Sequence, residues 1–343
     1  MTDEAAAQLC RLRKLSRLNL SEVRAISSYG WATLLTHLPQ LASLGRCDCL
    51  PEALAHLAHH RHVSHAQRSR DLLSLAHVEC EAPITESDLA RITSHCPDLA
   101  HVKLVYRPQD SDSDKLRYEE DMWPHLTKLK RLTSLADLSL VSADFYNHSL
   151  FSAIKGLGVR LARLELVDCD EMNVNSLLML GELCPQLCSL TVSSCHFNVD
   201  SEERAQISEL CSLQTRSKPL FRRLREVNFV FSSPVHLIMM KLPLHFAYNL
   251  SSFSLDLQNH PLEDLFINTL MSWSAWQSLT SFKLTNCPNL SLMSANTIIG
   301  ACHRIQVIGT LSSWGLIDKT QLSSFKGEIR RRNYDIIIDG SNY

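Results

Sequence analysis

Five histidines share one helical-looking run of the sequence: His56, His59, His60, His62 and His65. Members three or four positions apart would lie on one side of a helix, and neutral imidazole is a good zinc ligand. However, no cysteine or carboxylate pair stands nearby at ligand spacing, and the surrounding alanines and leucines are typical of an amphipathic helix. We therefore predict solvent-facing histidines in this run and no metal site in the chain.

An acidic segment, residues 107–121, is the second feature that could carry chemistry. It contains Asp110-Ser111-Asp112-Ser113-Asp114 and then Glu119-Glu120-Asp121. Ser111 has Asp114 three residues later, so an acid-directed kinase could phosphorylate it and create a site for a basic partner. The alternative is a solvated loop, which the polarity favours. We predict a loop here and leave phosphorylation of Ser111 open.

A basic stretch could contact phosphate or an acidic peptide; it carries Arg216, Lys218, Arg222, Arg223 and Arg225. Apolar residues such as Leu220 and Leu224 lie among these cations. This indicates that the aliphatic parts of the Arg and Lys side chains pack along a helix or along the rim of the solenoid. Aromatic residues and cations do not alternate along this stretch in the way that base stacking requires. We predict no nucleic-acid binding.

These candidates stand between copies of a recurring strand pattern: an apolar residue, two variable ones, an apolar one, one variable, and an apolar one. Leu161-Leu164-Leu166 is a clear copy. The first apolar residues, or anchors, are Leu15, Leu41, Leu75, Leu99, Leu135, Leu161, Leu187, Leu224, Leu250, Leu279 and Ile305. Five of the ten intervals between them are 26 residues. Such a period predicts a solenoid in which each unit is one strand and one helix.

The same copies carry recurring helix stops and cysteines. Proline follows the helical stretch in Leu38-Pro39, Cys96-Pro97 and Cys184-Pro185, where its locked φ and missing N–H end the helix. A cysteine often follows the strand, at Cys49, Cys169, Cys195 and Cys287. We expect these thiols to fill the core and donate to backbone carbonyls.

Two copies of the repeat resemble those of a known protein family. The copy from Ile84 to Leu104, with Thr85-Glu86-Ser87-Asp88-Leu89 and Cys96-Pro97-Asp98-Leu99, resembles the cysteine-containing class of leucine-rich repeats known from F-box proteins. So does Leu161-Ala162-Arg163-Leu164-Glu165-Leu166-Val167-Asp168-Cys169. The resemblance implies an α/β fold: a right-handed horseshoe solenoid with a parallel sheet on the concave face and helices on the convex face.

We expect one continuous solenoid over residues 1–343. Repeats would occupy about 12–311, rim insertions about 50–70, 107–121 and 200–220, and a C-terminal cap 312–343 with a closing strand up to Ile338. Residues Met1 to Arg13 resemble the last turns of a repeat helix. Arg46 stands where an apolar residue belongs, and a buried arginine is costly, so we expect either a distorted second repeat or a different register of the strand pattern there.

Charge and cysteine usage limit the class of partner and the compartment. The formal net charge of −2 gives no bulk attraction to DNA or lipid. Twelve cysteines occur without a CxxC pair, and the N-terminus has no signal-peptide core. We expect reduced thiols, no membrane segment, and a location in the cytoplasm, the nucleus or both.

Between the apolar strand positions lie residues that should point to the concave side. Those we predict to contact a partner are His77, Glu79, His101, Lys103, Asp137, Ser139, Arg163, Glu165, Ser189, Thr191, Glu226 and Asn228. This mixture of charges and hydroxyls favours recognition of a protein. No nucleophile, base and oxyanion donor converge, so we predict neither an enzyme nor a cofactor.

The resemblance implies a function as well. In F-box relatives the repeats hold a substrate while an N-terminal module binds a Skp1-type adaptor of a cullin ubiquitin ligase. Here the first strand arrives at Leu15, which leaves no room for that module. We predict a monomeric substrate receptor shortened from a longer protein, linked to Skp1 and cullin only if an upstream F-box exists. The alternative is a repeat-only scaffold or inhibitor unrelated to ubiquitin.

Overall fold

The computed structural model describes residues 2–20, 26–63, 72–105, 124–143, 148–170, 172–197, 200–212, 220–232, 237–257, 262–332 and 334–338. These residues cluster into two compact units, Met1–Leu164 and Glu165–Tyr343. The boundary falls within the sixth strand. The expectation of one continuous domain stays a prediction.

The first unit alternates helices with short strands. Its elements are α1 (Asp3–Leu9), β1 (Arg17–Leu18), α2 (Ser28–His37), β2 (Ser43–Arg46), α3 (Leu50–Val63), β3 (His77–Pro83), α4 (Glu86–His95), β4 (His101–Val105), a 3-10 helix (Pro124–Arg131), β5 (Asp137–Val141), α5 (His148–Leu157) and the start of β6 (Arg163–Val167). Strands β1 to β5 pair in parallel, each with the next along the chain.

The second unit repeats this order. Its elements are α6 (Val174–Leu183), β7 (Ser189–Ser193), α7 (Ser201–Ser212), β8 (Glu226–Phe231), α8 (Leu237–Phe246), β9 (Ser252–Leu257), α9 (Asp264–Met271), a 3-10 helix (Ser274–Ser278), β10 (Ser281–Thr285), α10 (Leu292–Ala301), β11 (Val307–Gly309), a 3-10 helix (Leu311–Ser313), α11 (Lys319–Arg331) and β12 (Ile337–Ile338). Strands β7 to β12 also pair in parallel and in chain order. This confirms the predicted α/β leucine-rich-repeat solenoid, including the closing strand.

The anchors of the strand pattern form the core. From Leu41 to Ile305 every anchor is buried, with at most 7% of its surface exposed. Leu15 is only half-buried, and its strand β1 has one described neighbour, β2. The period of the sequence therefore marks the residues that are removed from water on folding. Burial of these apolar side chains is the main source of stability in a repeat array.

The second repeat is distorted at Arg46, as predicted. In the pairing of β2 with β3, Ser43 lies opposite His77 and Arg46 opposite Glu79, so β2 has one extra residue between the two pairs. The bulge turns Arg46 outward, where Nε donates to Asp48 Oδ2 at 2.8 Å. Cys47 takes the core position instead, with 2% of its surface exposed.

The helix stops follow the predicted pattern, and of the four thiols predicted to fill the core Cys169, Cys195 and Cys287 are buried, whereas Cys49 is only half-buried. Helices α2, α4 and α6 end just before Leu38, Cys96 and Cys184, each of whose backbone N–H donates to the carbonyl four residues back. After the strands, Cys195 Sγ donates to Ser193 O at 3.5 Å and Cys287 Sγ to Thr285 O at 3.2 Å.

All twelve cysteines are free thiols, and most are buried. Burial raises the pKa of Cys96, Cys184, Cys287 and Cys302 to about 12. These thiols therefore stay protonated and unreactive at neutral pH. No helix in the described part of the chain has the length and apolar character that a membrane span requires.

Left-handed backbone at the strand ends is a repeating feature that the sequence pattern did not reveal. Positive φ angles of 50° to 68° occur directly after five strands, at Ser142, Asp168, Ser194, Asn286 and Thr310. Each residue turns the chain so that the next side chain enters the core, as with Cys169 and Cys195. Asp and Asn tolerate this conformation, whereas Ser and Thr adopt it at a cost of about 1–3 kcal/mol.

Asp264 joins neighbouring helices of the second unit, and we expect Asp264→Ala to lower the free energy of unfolding by about 1–3 kcal/mol. Its carboxylate accepts from Ser291 N at 3.0 Å, Ser291 Oγ at 2.6 Å and Ser294 Oγ at 2.5 Å. Ser291 is the N-cap residue of α10. Urea denaturation at pH 7 measures the loss, with Asp335→Ala at an exposed position as the control.

The loss of stability in Asp264→Ala should also depend on pH. Burial acts to raise the pKa of Asp264, but the hydrogen bonds from Ser291 and Ser294 outweigh it and hold the pKa below the usual 3.8. A carboxylate with a lowered pKa stabilises the fold above its unfolded pKa and ceases to do so as pH falls through its folded pKa. The difference in free energy of unfolding between the parent chain and Asp264→Ala should therefore be largest at neutral pH and should shrink below pH 3.8. A difference that grows on acidification would contradict this assignment.

Candidate functional site

Three neighbouring strands bring the predicted partner-binding residues of the first unit together. His77 of β3 is in register with His101 of β4, which is in register with Asp137 of β5. Glu79 and Lys103 form the second row. Alternate residues of a strand share one face, and paired residues on neighbouring strands are about 4.8 Å apart. We call this set, together with Arg163 of β6, the polar strand face.

The side chains of this face form a connected network. His77 Nε2 lies 3.1 Å from Glu79 Oε1, and the rings of His77 and His101 stack with centroids 4.1 Å apart and planes 11° apart. His101 Nδ1 lies 3.8 Å from Asp137 Oδ2, and Arg163 Nη1 lies 3.3 Å from the same oxygen. The Asp137 carboxylate is thus shared by an imidazole and a guanidinium.

Electrostatics favour the neutral form of one imidazole in this network. Partial burial lowers the pKa of His101 below its usual 6.5, and the neighbouring His77 lowers it further. The carboxylates of Asp137 and Glu79 act in the opposite direction but do not outweigh these effects. His101 is therefore neutral at pH 7, with one ring nitrogen carrying a lone pair.

The network is open to solvent. The exposed fractions of the side chains are 35% for His77, 34% for Glu79, 29% for His101 and 22% for Asp137, while Arg163 reaches 70%. Ser139, which we also predicted to contact a partner, is only 2% exposed, so its hydroxyl is not presented to solvent. The remaining groups are held by strands and still accessible, as recognition of another molecule requires.

An open depression of about 410 Å³ adjoins the network. His77 and Glu79 belong to the side-chain network and also line the depression. The lining residues are Arg17, Leu18, Asn19, Ser43, Gly45, Arg46, His77 and Glu79. The bulge at Arg46 shapes this depression, because it turns the guanidinium outward.

The strand residues predicted in the second unit have a different character. Ser189 pairs in register with Glu226, and Thr191 with Asn228. These four residues are exposed or half-exposed, as is Glu165. Hydroxyl and amide groups predominate here, whereas imidazoles, carboxylates and cations are concentrated in the first unit.

The other sequence candidates lie elsewhere. His56 and His59 are exposed, as predicted, and His56 Nε2 is 3.1 Å from Ser28 Oγ. The side chains of His60 and His62, and all of His65, are outside the described residues, as is the acidic segment with Ser111. Of the basic stretch, Arg216 and Lys218 are also outside. Arg222, Arg223 and Arg225 are exposed, with Arg223 Nη1 donating to Gln186 Oε1 at 2.5 Å.

Sequence reasoning assigned His77, Glu79 and His101 to partner contact and did not see their common chemistry. One potential ligand atom from each of these side chains lies within 4.8 Å of the others, the arrangement of a candidate metal site. A signal was present: His-x-Glu on one strand, with a histidine 24 residues later at the same repeat position.

Comparisons with known proteins find remote similarity to solved structures. No family model matches the chain, and neither does any curated protein sequence. Among solved structures, the yeast Rad7 and Elc1 complex matches with a TM-score of 0.39 and 15% identity, covering 94% of this chain and 88% of that one. The mouse RP105/MD-1 complex matches with a TM-score of 0.38 and 13% identity, covering 94% of this chain and 53% of that one. Similarities this remote support no inference about a site or a partner.

Proposed function

We propose that this chain is a protein-binding module without catalytic activity, and that its partner contacts the polar strand face. One observation carries the proposal: four adjacent strands, β3 to β6, hold imidazole, carboxylate and guanidinium groups in a connected, solvent-accessible network around Asp137. Side chains held by strands and by each other lose little conformational entropy on binding. Such a face suits a stable complex with a folded partner or an extended peptide.

Charge complementarity defines the kind of partner. The polar strand face carries both signs of charge, the carboxylates of Glu79 and Asp137 and the cations of Lys103 and Arg163. The partner should therefore present both signs in alternation. Complementary charges of this kind set the register and exclude wrong partners more than they raise affinity.

Charge reversal on this face tests the proposal. We expect Lys103→Glu combined with Arg163→Glu to weaken partner binding at least about tenfold, because each reversal places like charges opposite one another. The control is Arg225→Glu combined with Lys283→Glu, which makes the same change in net charge in the second unit.

Partners are first identified by cross-linking and mass spectrometry of the chain in cells, and Kd is then measured with the purified partner. Loss of binding in the first variant alone supports the proposal. Equal losses in both variants, or no loss in either, would contradict it.

We further propose that the bound protein is a substrate delivered to an SCF-type ubiquitin ligase in the cytoplasm or nucleus. Support comes from the resemblance of the repeats to those of F-box proteins. The alternative is a scaffold or an inhibitor unconnected with ubiquitin. Affinity purification of the longest expressed form separates the two. If neither a Skp1-type adaptor nor a cullin co-purifies, the ligase role fails while the binding role stands.

A further inference from the structure

We propose that His77, Glu79 and His101 bind one divalent transition-metal ion of the Zn²⁺ class on the polar strand face. The inference goes beyond the proposed binding role and stands without it. The three side chains come from two adjacent parallel strands, β3 and β4. Their ligand atoms lie within 4.8 Å of one another, and all three side chains are half-buried.

Strand geometry places the three ligands on one side of the sheet. His77 and Glu79 are two residues apart on β3, so their side chains leave the same face. His101 is paired in register with His77, which brings the second imidazole beside the first. The backbone thus fixes the three positions without any contribution from a mobile loop.

The donor set selects a class of metal. Two imidazoles and one carboxylate are borderline ligands, which suit Zn²⁺ and its transition-metal neighbours, whereas Mg²⁺ and Ca²⁺ prefer sites built from oxygen. Glu79 and Asp137 together carry the charge needed to balance a divalent cation. Three protein ligands leave one position open, and this position faces solvent.

Asp137 supports the assignment as a positioning residue. Its Oδ2 lies 3.8 Å from His101 Nδ1. At this distance the carboxylate makes no hydrogen bond to the ring. A small turn of the imidazole would bring the two groups into contact, which is the arrangement of carboxylate–histidine–zinc sites.

Metal binding requires a small rearrangement of side chains. Zn–N and Zn–O distances of about 2.0–2.2 Å place tetrahedral ligands about 3.3 Å apart, so a spread of 4.8 Å must contract. The stacked rings also have nearly parallel planes, and a metal lies close to the plane of each ring it binds. One imidazole must therefore turn about its side-chain bonds, while the strands keep their positions.

Isothermal titration of the full chain with Zn²⁺ alone tests the proposal, with Mg²⁺ as the comparison. We expect one saturable Zn²⁺ site per chain and no Mg²⁺ binding. His101→Asn and Glu79→Gln should each raise the Kd for Zn²⁺ at least about tenfold, because each removes a ligand. The melting temperature of each variant without metal confirms that it is folded, and Glu79→Gln keeps the size of the side chain.

Matched controls separate this site from other histidines. His196→Asn removes an exposed imidazole that lies 3.0 Å from Asp170, and it should leave the Kd for Zn²⁺ unchanged. A His56→Asn, His59→Asn double variant should also leave it unchanged. The proposal is overturned if the parent chain has no saturable Zn²⁺ site, if both ligand variants bind as the parent does, or if only the His56 and His59 variant loses zinc.

Discussion

Phe253→Ala should lower the free energy of unfolding by about 3–5 kcal/mol, the loss typical of a large aromatic removed from a packed core. Phe253 is fully buried on β9 and paired in register with Phe282 on β10. Its ring centroid lies 5.3 Å from that of Trp276, in an edge-on arrangement, and 5.4 Å from that of Phe282. Trp276 is itself held by a hydrogen bond from Nε1 to Leu270 O at 2.7 Å.

The size of this effect follows from how little the site can relax. A cavity at Phe253 is bounded by two strands of a parallel sheet and by an indole that is fixed by its hydrogen bond. The surroundings cannot collapse into it, so the cavity cost adds to the lost burial. Urea denaturation at 25 °C measures the change, and Phe253→Leu, which keeps most of the apolar volume, should lose less. If the two variants were equally stable, the aromatic cluster would not be packed as described.

Leu187→Ala should lower the free energy of unfolding by about 2–5 kcal/mol. Leu187 is the anchor that follows helix α6, and none of its surface is exposed. Its backbone N–H donates to Cys184 O at 3.1 Å, which closes the turn between the helix and β7. Removing the side chain leaves a cavity between consecutive copies of the repeat.

The control is the same substitution at a leucine outside the core. Leu265 on α9 is 72% exposed, so Leu265→Ala should change the free energy of unfolding by no more than about 0.5 kcal/mol. Thermal unfolding and urea midpoints of both variants give the comparison. Similar losses at the two positions would mean that the anchors are assigned in the wrong register.

The accuracy of the fold prediction has a physical cause. In a repeat array each copy meets the same environment, so the same apolar spacing returns wherever a strand must bury one side. Leu161, Leu164 and Leu166 occupy three such positions, and all three are buried. The helix stops at Pro97 and Pro185 are equally local, because a proline ends a helix whatever packs around it.

Features that depend on a neighbouring strand were harder to predict. The cost of burying a guanidinium predicts an irregularity at Arg46, yet its form, a bulge with Cys47 in the core, depends on the pairing with β3. The left-handed residues such as Ser142 and Ser194 had no compositional signal, because serine rarely adopts positive φ. Tertiary packing imposes that conformation on them.

The amino-acid sequence is enough to predict the period, the buried anchors and the helix ends, because each of these depends on chemistry within one repeat. How closely the polar side chains of different repeats approach one another depends on the pairing of neighbouring strands. His77 and His101 are 24 positions apart in the chain, and their rings come within 4.1 Å because parallel pairing sets them in register. Register is a relation between strands, so no single copy of the repeat contains it.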